Sequence, residues 1–308
     1  MQRDFDMSQC EGRWYDILVT LGLPSKALRN QHGPCPMCGG KDRFRWDNKN
    51  GRGTYYCSGC GAGTGPDLAM KFLGIDYREL VKQIGPIFGT TKVRKAPKPL
   101  SEEDERRLKN DLWQAGDRIT KSGPAATYLR KRLGVVIPSH DLRAVDQKDC
   151  GAIMVALVRD PAGAPVTLHR TFIDKYGDKF DRKLMPGEIP PGSAVRLMPA
   201  RDKLGIAEGI ETALAASILF KIPCWASLNT SLLKTWVPPA DVERIVVFGD
   251  NDTNYAGQAA AYEQARKCAA GRAKVEVQIP DRPGDDWNDM LLATMNSTTN
   301  KGSLPWHQ

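Results

Sequence analysis

Four cysteines, Cys35, Cys38, Cys57 and Cys60, form two C-x2-C knuckles, CPMC and CSGC, with eighteen residues between them. Each knuckle is followed by a glycine that permits a tight turn, and two such knuckles converge on one tetrahedral zinc held by four thiolates. A site with four protein ligands is closed, so this ion is expected to hold the fold together and to perform no chemistry. His32, three residues before Cys35, is read as an ordinary surface histidine because the thiols already complete the set. Cys10, Cys150, Cys224 and Cys268 are scattered and read as buried or free thiols, the usage of a reducing compartment.

What this ribbon presents matters as much as what it binds. Between the knuckles, Arg43, Phe44, Arg45 and Trp46 face Arg52, Tyr55 and Tyr56. Cations for phosphates interleaved with flat rings for bases suit single-stranded nucleic acid. Strand alternation requires about half of the rings to pack inside instead. The expectation places Arg43, Arg45, Trp46, Arg52 and Tyr55 against nucleic acid. Charge points the same way: residues 1–100 carry 16 Lys and Arg against 9 Asp and Glu, whereas residues 201–308 carry 11 against 13. The basic front suits a polyanion and the acidic rear does not.

The 308 residues, 41% hydrophobic and 26% charged, are enough for several packed domains and too apolar for disorder. No stretch approaches the roughly 18 consecutive apolar residues of a membrane span, and the N-terminus lacks the apolar core of a signal peptide, so a soluble cytoplasmic protein is expected. The expected fold class is multi-domain, α+β and α/β. Residues 1–85 are expected to form a zinc ribbon with small helices, including two short helices split at Pro24, and residues 86–100, rich in proline and lysine, an exposed linker. Residues 101–202 read as a basic α+β subdomain: two helices, then the strands GAIMVALVRD and APVTLHRTFID paired about a DPAGA turn. From 203 to 295 strand and helix alternate, which predicts a mostly parallel sheet covered by helices, and residues 296–308 read as a loose tail.

In that alternating unit the acids fall at strand ends. Glu208 follows KLGIA, Asp250 and Asp252 follow IVVF, and Asp285, Asp286 and Asp289 follow KVEVQI. Ligand sites in parallel sheets form at the carboxyl ends of strands. Carboxylates crowded there repel one another unless a cation neutralises them, and hard oxygen ligands suit Mg²⁺ or Mn²⁺, which commonly position phosphates. Glu211, one turn into the next helix, either assists Glu208 or faces solvent at the helix start, and exposure is the expectation. Positive charge for the phosphates that such a metal positions is sought among His169, Arg170, Lys175, Lys179, Arg182, Lys183 and Arg196. Alternation sends His169 and Arg170 to opposite faces, and Arg170 is taken as the one that meets substrate.

The segments EGIETA, FGDND and GDDWND resemble the TOPRIM domain of primases, topoisomerases and some nucleases. With the ribbon HGPCPMCGGKDRFRW…YYCSGCGAGTG, the chain resembles the primase portion of phage and plasmid primase-helicases of the satellite-phage alpha type, and more distantly bacterial DnaG. The resemblance implies synthesis of short RNA primers from nucleoside triphosphates on a single-stranded DNA template. It implies Asp250 and Asp252 as ligands of the magnesium or manganese, Asp286 as a supporting ligand, and Glu208 as either ligand or general base. Lys175 and Lys183 join Arg170 as candidate nucleotide or nucleic-acid contacts. No G-x-x-x-x-G-K-[ST] loop occurs, so a separate replicative helicase is the expected partner, the alternative being a chain that works alone on DNA already single-stranded. A TOPRIM-type nuclease and a non-catalytic replication-control DNA-binding protein are the alternatives.

Overall fold

The computed structural model describes residues 7–92, 101–120 and 122–299. The chain falls into two compact units, Met1–Pro99 and Leu100–Gln308.

The first unit is built around a small antiparallel sheet, β1 (Gly33–Cys35), β2 (Gly39–Trp46), β3 (Tyr55–Cys57) and β4 (Gly61–Gly63), in that order. Helix α1 (Trp14–Thr20) precedes it, and α2 (Gly65–Leu73) and α3 (Tyr77–Phe88) follow. Residues 25–30 make turns, so the second of the two helices expected around Pro24 is absent. Helix α2 begins where the Thr64 N–H donates to the Asp67 carboxylate at 2.8 Å, and α3 where the Glu79 N–H donates to Asp76 at 2.9 Å. These bonds satisfy amides that the first turn leaves open. Trp14, Ile17, Phe44, Leu68, Leu80 and Ile84 are buried together in one core. Helix α3 carries Pro86 inside its last turn, because Ile87 and Phe88 still pack on that core. The first three residues of the expected 86–100 linker are therefore helical, and residues 93–100 lie outside the described residues.

The second unit opens with α4 (Glu102–Gln114), β5 (Asp117–Arg118) and α5 (Pro124–Leu133). The meander β6 (Leu142–Gln147), β7 (Gly151–Arg159), β8 (Pro165–Ile173), β9 (Lys179–Leu184) follows, then β10 (Ala194–Val195). The alternating part is β11 (Lys203–Ala207), α6 (Ile210–Phe220), β12 (Cys224–Ala226), α7 (Thr230–Thr235), β13 (Arg244–Phe248), α8 (Ala256–Ala269), β14 (Lys274–Gln278) and α9 (Trp287–Thr299). The four strands β14-β13-β11-β12 are parallel, as the alternation predicts. Helix α9 runs four residues into the expected tail; residues beyond it lie outside the described ones.

The sheet does not stop at residue 203. Short β10 pairs antiparallel with β12 on one side (Val195 opposite Ala226) and with β7 on the other (Val195 opposite Val158), making one ten-stranded sheet. One core runs beneath it, from Leu129 and Leu133 of α5 through Met154 of β7 and Leu214 of α6 to Phe248 and Trp287. The expected division between 101–202 and 203–295 is thus crossed by both backbone hydrogen bonds and side-chain packing. No helix among the described residues is long and apolar enough to cross a membrane.

Candidate functional site

In the ribbon, the four cysteine Sγ atoms all lie within 4.8 Å of one another, with Cys35 to Cys60 at 3.9 Å and Cys38 to Cys57 at 3.7 Å. A tetrahedron with Zn–S bonds of about 2.3 Å has edges of about 3.8 Å, so the donors fit zinc. Cys35 and Cys57 are buried and Cys38 is exposed. Cys38 is pushed down to about 7, chiefly by its hydrogen bond with Cys60, with the Arg43 guanidinium adding to the effect against desolvation. Cys60 is pushed up to about 12 by the same shared proton. Zinc binding replaces these protons.

The ribbon corrects two expected nucleic-acid contacts. Trp46 and Tyr55 are opposite each other in register and, with Phe44, point into the core; Tyr55 is 2% exposed and Trp46 7%. Residues 44 and 46 are two apart on one strand and so share the inner face. The ring left outside is Tyr56, 48% exposed and paired in register with Arg45. Arg45 is half-buried and leans toward Asp47 at 3.7 Å, and Arg52 is exposed.

In the second unit, the acids are positioned by strand ends and the loops stitched between them. Strand β13 stops at Gly249, where a side chain would meet Ile279 at 2.5 Å and Ala261 at 2.8 Å. The next loop is tied to the one before α9 by Asn251 N–H to Asp285 O at 3.0 Å and Gly284 N–H to Asn251 O at 2.6 Å. Beneath it, Phe248 and Trp287 pack edge to face at 5.6 Å, fixing the end of β13 against the start of α9. Asp250 and Asp286 are brought together by these contacts.

Asp250 is pushed up to about 7, first by desolvation and then by the charges of Asp286, Glu208, Asp252 and Asp289. Burial also raises Glu208, with Asp252 adding and Arg182 opposing. Burial raises Asp286 against the hydrogen bond from the Asp289 N–H; the Asp289 charge adds to the rise and Arg132 counteracts it. Acids from three separate segments therefore share one electrostatic environment. Asp250 Oδ1 is buried with no hydrogen-bond partner among the described residues. The others have structural duties: Asp252 accepts from Gly257 N–H at 2.9 Å at the start of α8, and Asp286 and Asp289 cap α9 reciprocally, at 2.9 and 3.1 Å. Among the described residues only the thiolates converge as a closed ligand set. The carboxylates form an open edge, which suits a cation that keeps waters and takes phosphate oxygens.

Glu211 does not face solvent. It accepts from the Tyr128 hydroxyl of α5 and lies 3.4 Å from Lys179 Nζ at the start of β9, with its side chain 14% exposed. Burial opposes its charge, but Lys179 and the Tyr128 hydroxyl hold it down at about 2. His169 and Arg170 do lie on opposite faces of β8. Buried His169 is pushed down to about 4 by desolvation and feels Glu211 and Arg182, which places it on the side of the acids. Arg170 lies in register with Lys183 on the other face, its cation 5.6 Å from the Phe172 ring, while Lys183 lies 3.2 Å from Asp181. The choice of Arg170 over its neighbour is corrected by this pairing, and Lys183 is turned away with it. Lys175 sits in the β8–β9 turn over the Tyr176 ring.

The cations that do reach the acids are Arg182, which acts on Glu208, and Arg132, 3.8 Å from Asp286. Arg132, Tyr128 and buried Asn288, which donates to the Arg132 carbonyl, were not singled out by the sequence. Their signal is faint: Tyr128 and Arg132 are one turn apart on α5, but nothing in the sequence tells that α5 lies against α6 and α9.

Residues 203–297 match the Toprim domain family, residues 30–66 the zinc-binding domain of primase-helicase, and residues 103–197 a domain family of unknown function. Among solved structures the chain is similar to a DNA primase domain from Pseudomonas aeruginosa, at 16% identity over 51% of this chain and 56% of that one, TM-score 0.35. It is similar to the Aquifex aeolicus primase with its zinc-binding and RNA polymerase domains, at 13% identity over 96% and 83%, TM-score 0.37. A third similar structure is a DnaG primase catalytic domain bound to ssDNA, at 12% identity over 65% and 77%, TM-score 0.40. The chain thus joins a zinc-binding domain of the primase-helicase type to a Toprim domain.

Proposed function

We propose that this chain is a DNA primase that makes short RNA primers from nucleoside triphosphates on single-stranded DNA, at the edge carrying Glu208, Asp250, Asp252 and Asp286. The observation that carries the reading is Asp250: an acid driven up to about 7 by burial and then by four neighbouring acids, with one carboxylate oxygen buried and unpartnered, calls for a cation. Asp250 and Asp252 would hold Mg²⁺ or Mn²⁺ with Asp286 in support, and such an ion neutralises triphosphate charge and lowers the barrier to nucleotidyl transfer.

The chain's own groups divide the remaining work. Glu208, raised by burial, can take the proton of an attacking hydroxyl or serve as a further ligand. Arg182 and Arg132 flank the acids and can orient the phosphates that the acids alone would repel. On the ribbon, Arg45, Arg52 and exposed Tyr56 offer cations and a stacking ring to the template. A separate helicase remains the proposed source of single-stranded template.

The test combines the protein, single-stranded DNA, labelled ribonucleotides and Mg²⁺ or Mn²⁺. Short RNA products, lost in Asp250→Ala while DNA binding stays within about twofold, are the expected result. Cleavage of DNA without nucleotides would select a nuclease instead, and wild-type behaviour of the Asp250→Ala/Asp252→Ala double variant would select a non-catalytic binding protein.

A further inference from the structure

The ribbon has more glycines than its turns require. Gly39 and Gly61 follow the two knuckles at φ +69 and +82 with open space around them, so the backbone alone accounts for them. Gly59 has no positive φ; a Cβ there would lie 3.2 Å from both Arg43 Nη1 and Cys38 Sγ. Gly40 has a positive φ, and a Cβ there would fall 2.3 Å from Arg43 Nε and 2.8 Å from Arg43 Cδ. The two glycines therefore leave a trough between the knuckles, and the Arg43 side chain lies in it. Its strand is locked beside the second knuckle by the Ser58 N–H, which donates to the Arg43 carbonyl at 2.9 Å.

The trough ends at a ligand. At Gly59 the Arg43 guanidinium and the Cys38 sulfur border the same space, each 3.2 Å from where a Cβ would sit, and Cys38 is the exposed member of a quartet in which Cys35 and Cys57 are buried. Four thiolates around Zn²⁺ carry a net charge of about −2, and an exposed thiolate in such a set is the one that acid, chelator or oxidant reaches first. A guanidinium is permanently charged and planar, with several N–H donors, so it can lie across a thiolate without losing its other donors to water.

We propose that Arg43 is a positioning residue of the zinc site, a cationic cover over the Cys38 thiolate, rather than a contact to nucleic acid. The proposal rests on the reading of the four cysteines as a zinc centre. That reading fails separately, if the wild-type protein carries no stoichiometric zinc.

The zinc-loaded full chain is challenged with excess chelator and, in parallel, with dilute peroxide, and zinc release is followed with a colorimetric indicator. Arg43→Ala is expected to release zinc about tenfold faster than wild type, the range in which loss of a group supporting a metal ligand falls. Arg43→Lys keeps the charge but not the planar donors and is expected to fall between the two. Arg52→Ala, which removes a ribbon cation of the same charge, is expected to release zinc at the wild-type rate. Affinity of Arg43→Ala for a single-stranded oligonucleotide is expected to stay within about twofold of wild type. Wild-type zinc release by Arg43→Ala, equal acceleration by Arg52→Ala, or a fall in oligonucleotide affinity larger than the change in zinc release would each overturn the proposal.

Discussion

At the scale of single residues, the protonation of the acidic edge gives the sharpest expectation. Asp250 is raised from 3.8 to about 7 in the fold, so without metal its protonation favours the native state. That contribution is complete below its ordinary value and is lost as pH rises through about 7. Thermal unfolding of metal-free Asp250→Asn should therefore gain stability relative to wild type as pH rises from 4 toward 8, and added Mg²⁺ should shrink the difference by stabilising only the wild type. A curve parallel to wild type at all pH values would remove the crowding argument. His169 offers an independent check. Desolvation pushes it to about 4, so its ring should stay neutral and its NMR signals should not move between pH 5.5 and 8. The acids were legible in the sequence because strand ends are marked by apolar runs, as in IVVF before Gly249. The rings of the ribbon were legible only in part. Alternation says that half of Phe44, Trp46, Tyr55 and Tyr56 are inside, but which ones depends on the register between the two strands, which puts Trp46 opposite Tyr55 in the core.

At the scale of elements, α5, α6 and the β8–β9 hairpin meet at Glu211, which receives the Tyr128 hydroxyl and lies beside Lys179. Removing a carboxylate that satisfies a buried hydroxyl and a cation costs about 2–4 kcal/mol. Glu211→Leu should show that loss in urea unfolding, and Glu211→Gln, which still accepts from Tyr128, should lose less. The sign with pH is opposite to that of Asp250: Glu211 is held down from 4.5 to about 2, so its stabilisation is complete above 4.5 and lost as pH falls toward 2. Equal stability of the Leu variant and wild type would mean that the three elements dock without it. A glutamate in the first turn of a helix is ordinarily a solvated complement to the helix dipole, which is why the sequence suggested exposure. Its burial follows from α5 packing across α6, a contact between residues 83 apart that local pattern does not encode. The same limit hid Arg132, whereas helix existence was readable wherever a cap and periodicity agreed, as at Ser101 before α4, whose hydroxyl accepts from Asp104 N–H at 3.1 Å.

At the scale of the whole molecule, the change of pattern that the sequence places at 202/203 lies within one continuous sheet. The change from paired antiparallel strands to strand–helix alternation is real, but β10 supplies the hydrogen bonds that join the two patterns into one sheet, and a two-residue strand leaves no periodicity to read. Cut at 203, the alternating part would lose its partner along β12, exposing the edge at Ala226. It would also lose Tyr128, Leu129 and Leu133 of α5 from the core that holds Phe248 and Trp287. Burying a large apolar side chain contributes roughly 1.5–3 kcal/mol, so losing three such packing partners is comparable with the whole stability of a small domain. A fragment of residues 203–299 is therefore expected to be aggregated or to bind hydrophobic dye, whereas residues 101–299, with every strand of the sheet, should unfold in a single cooperative transition that follows far-UV and near-UV circular dichroism together. Zinc chelation of the full chain should leave that transition in place while erasing the near-UV signal of Trp14 and Trp46, because the thiolate site stabilises only the first unit's core. A 203–299 fragment that folds cooperatively by itself would mean that the alternating part is an independent domain and that the β10 bridge is ornamental to its stability.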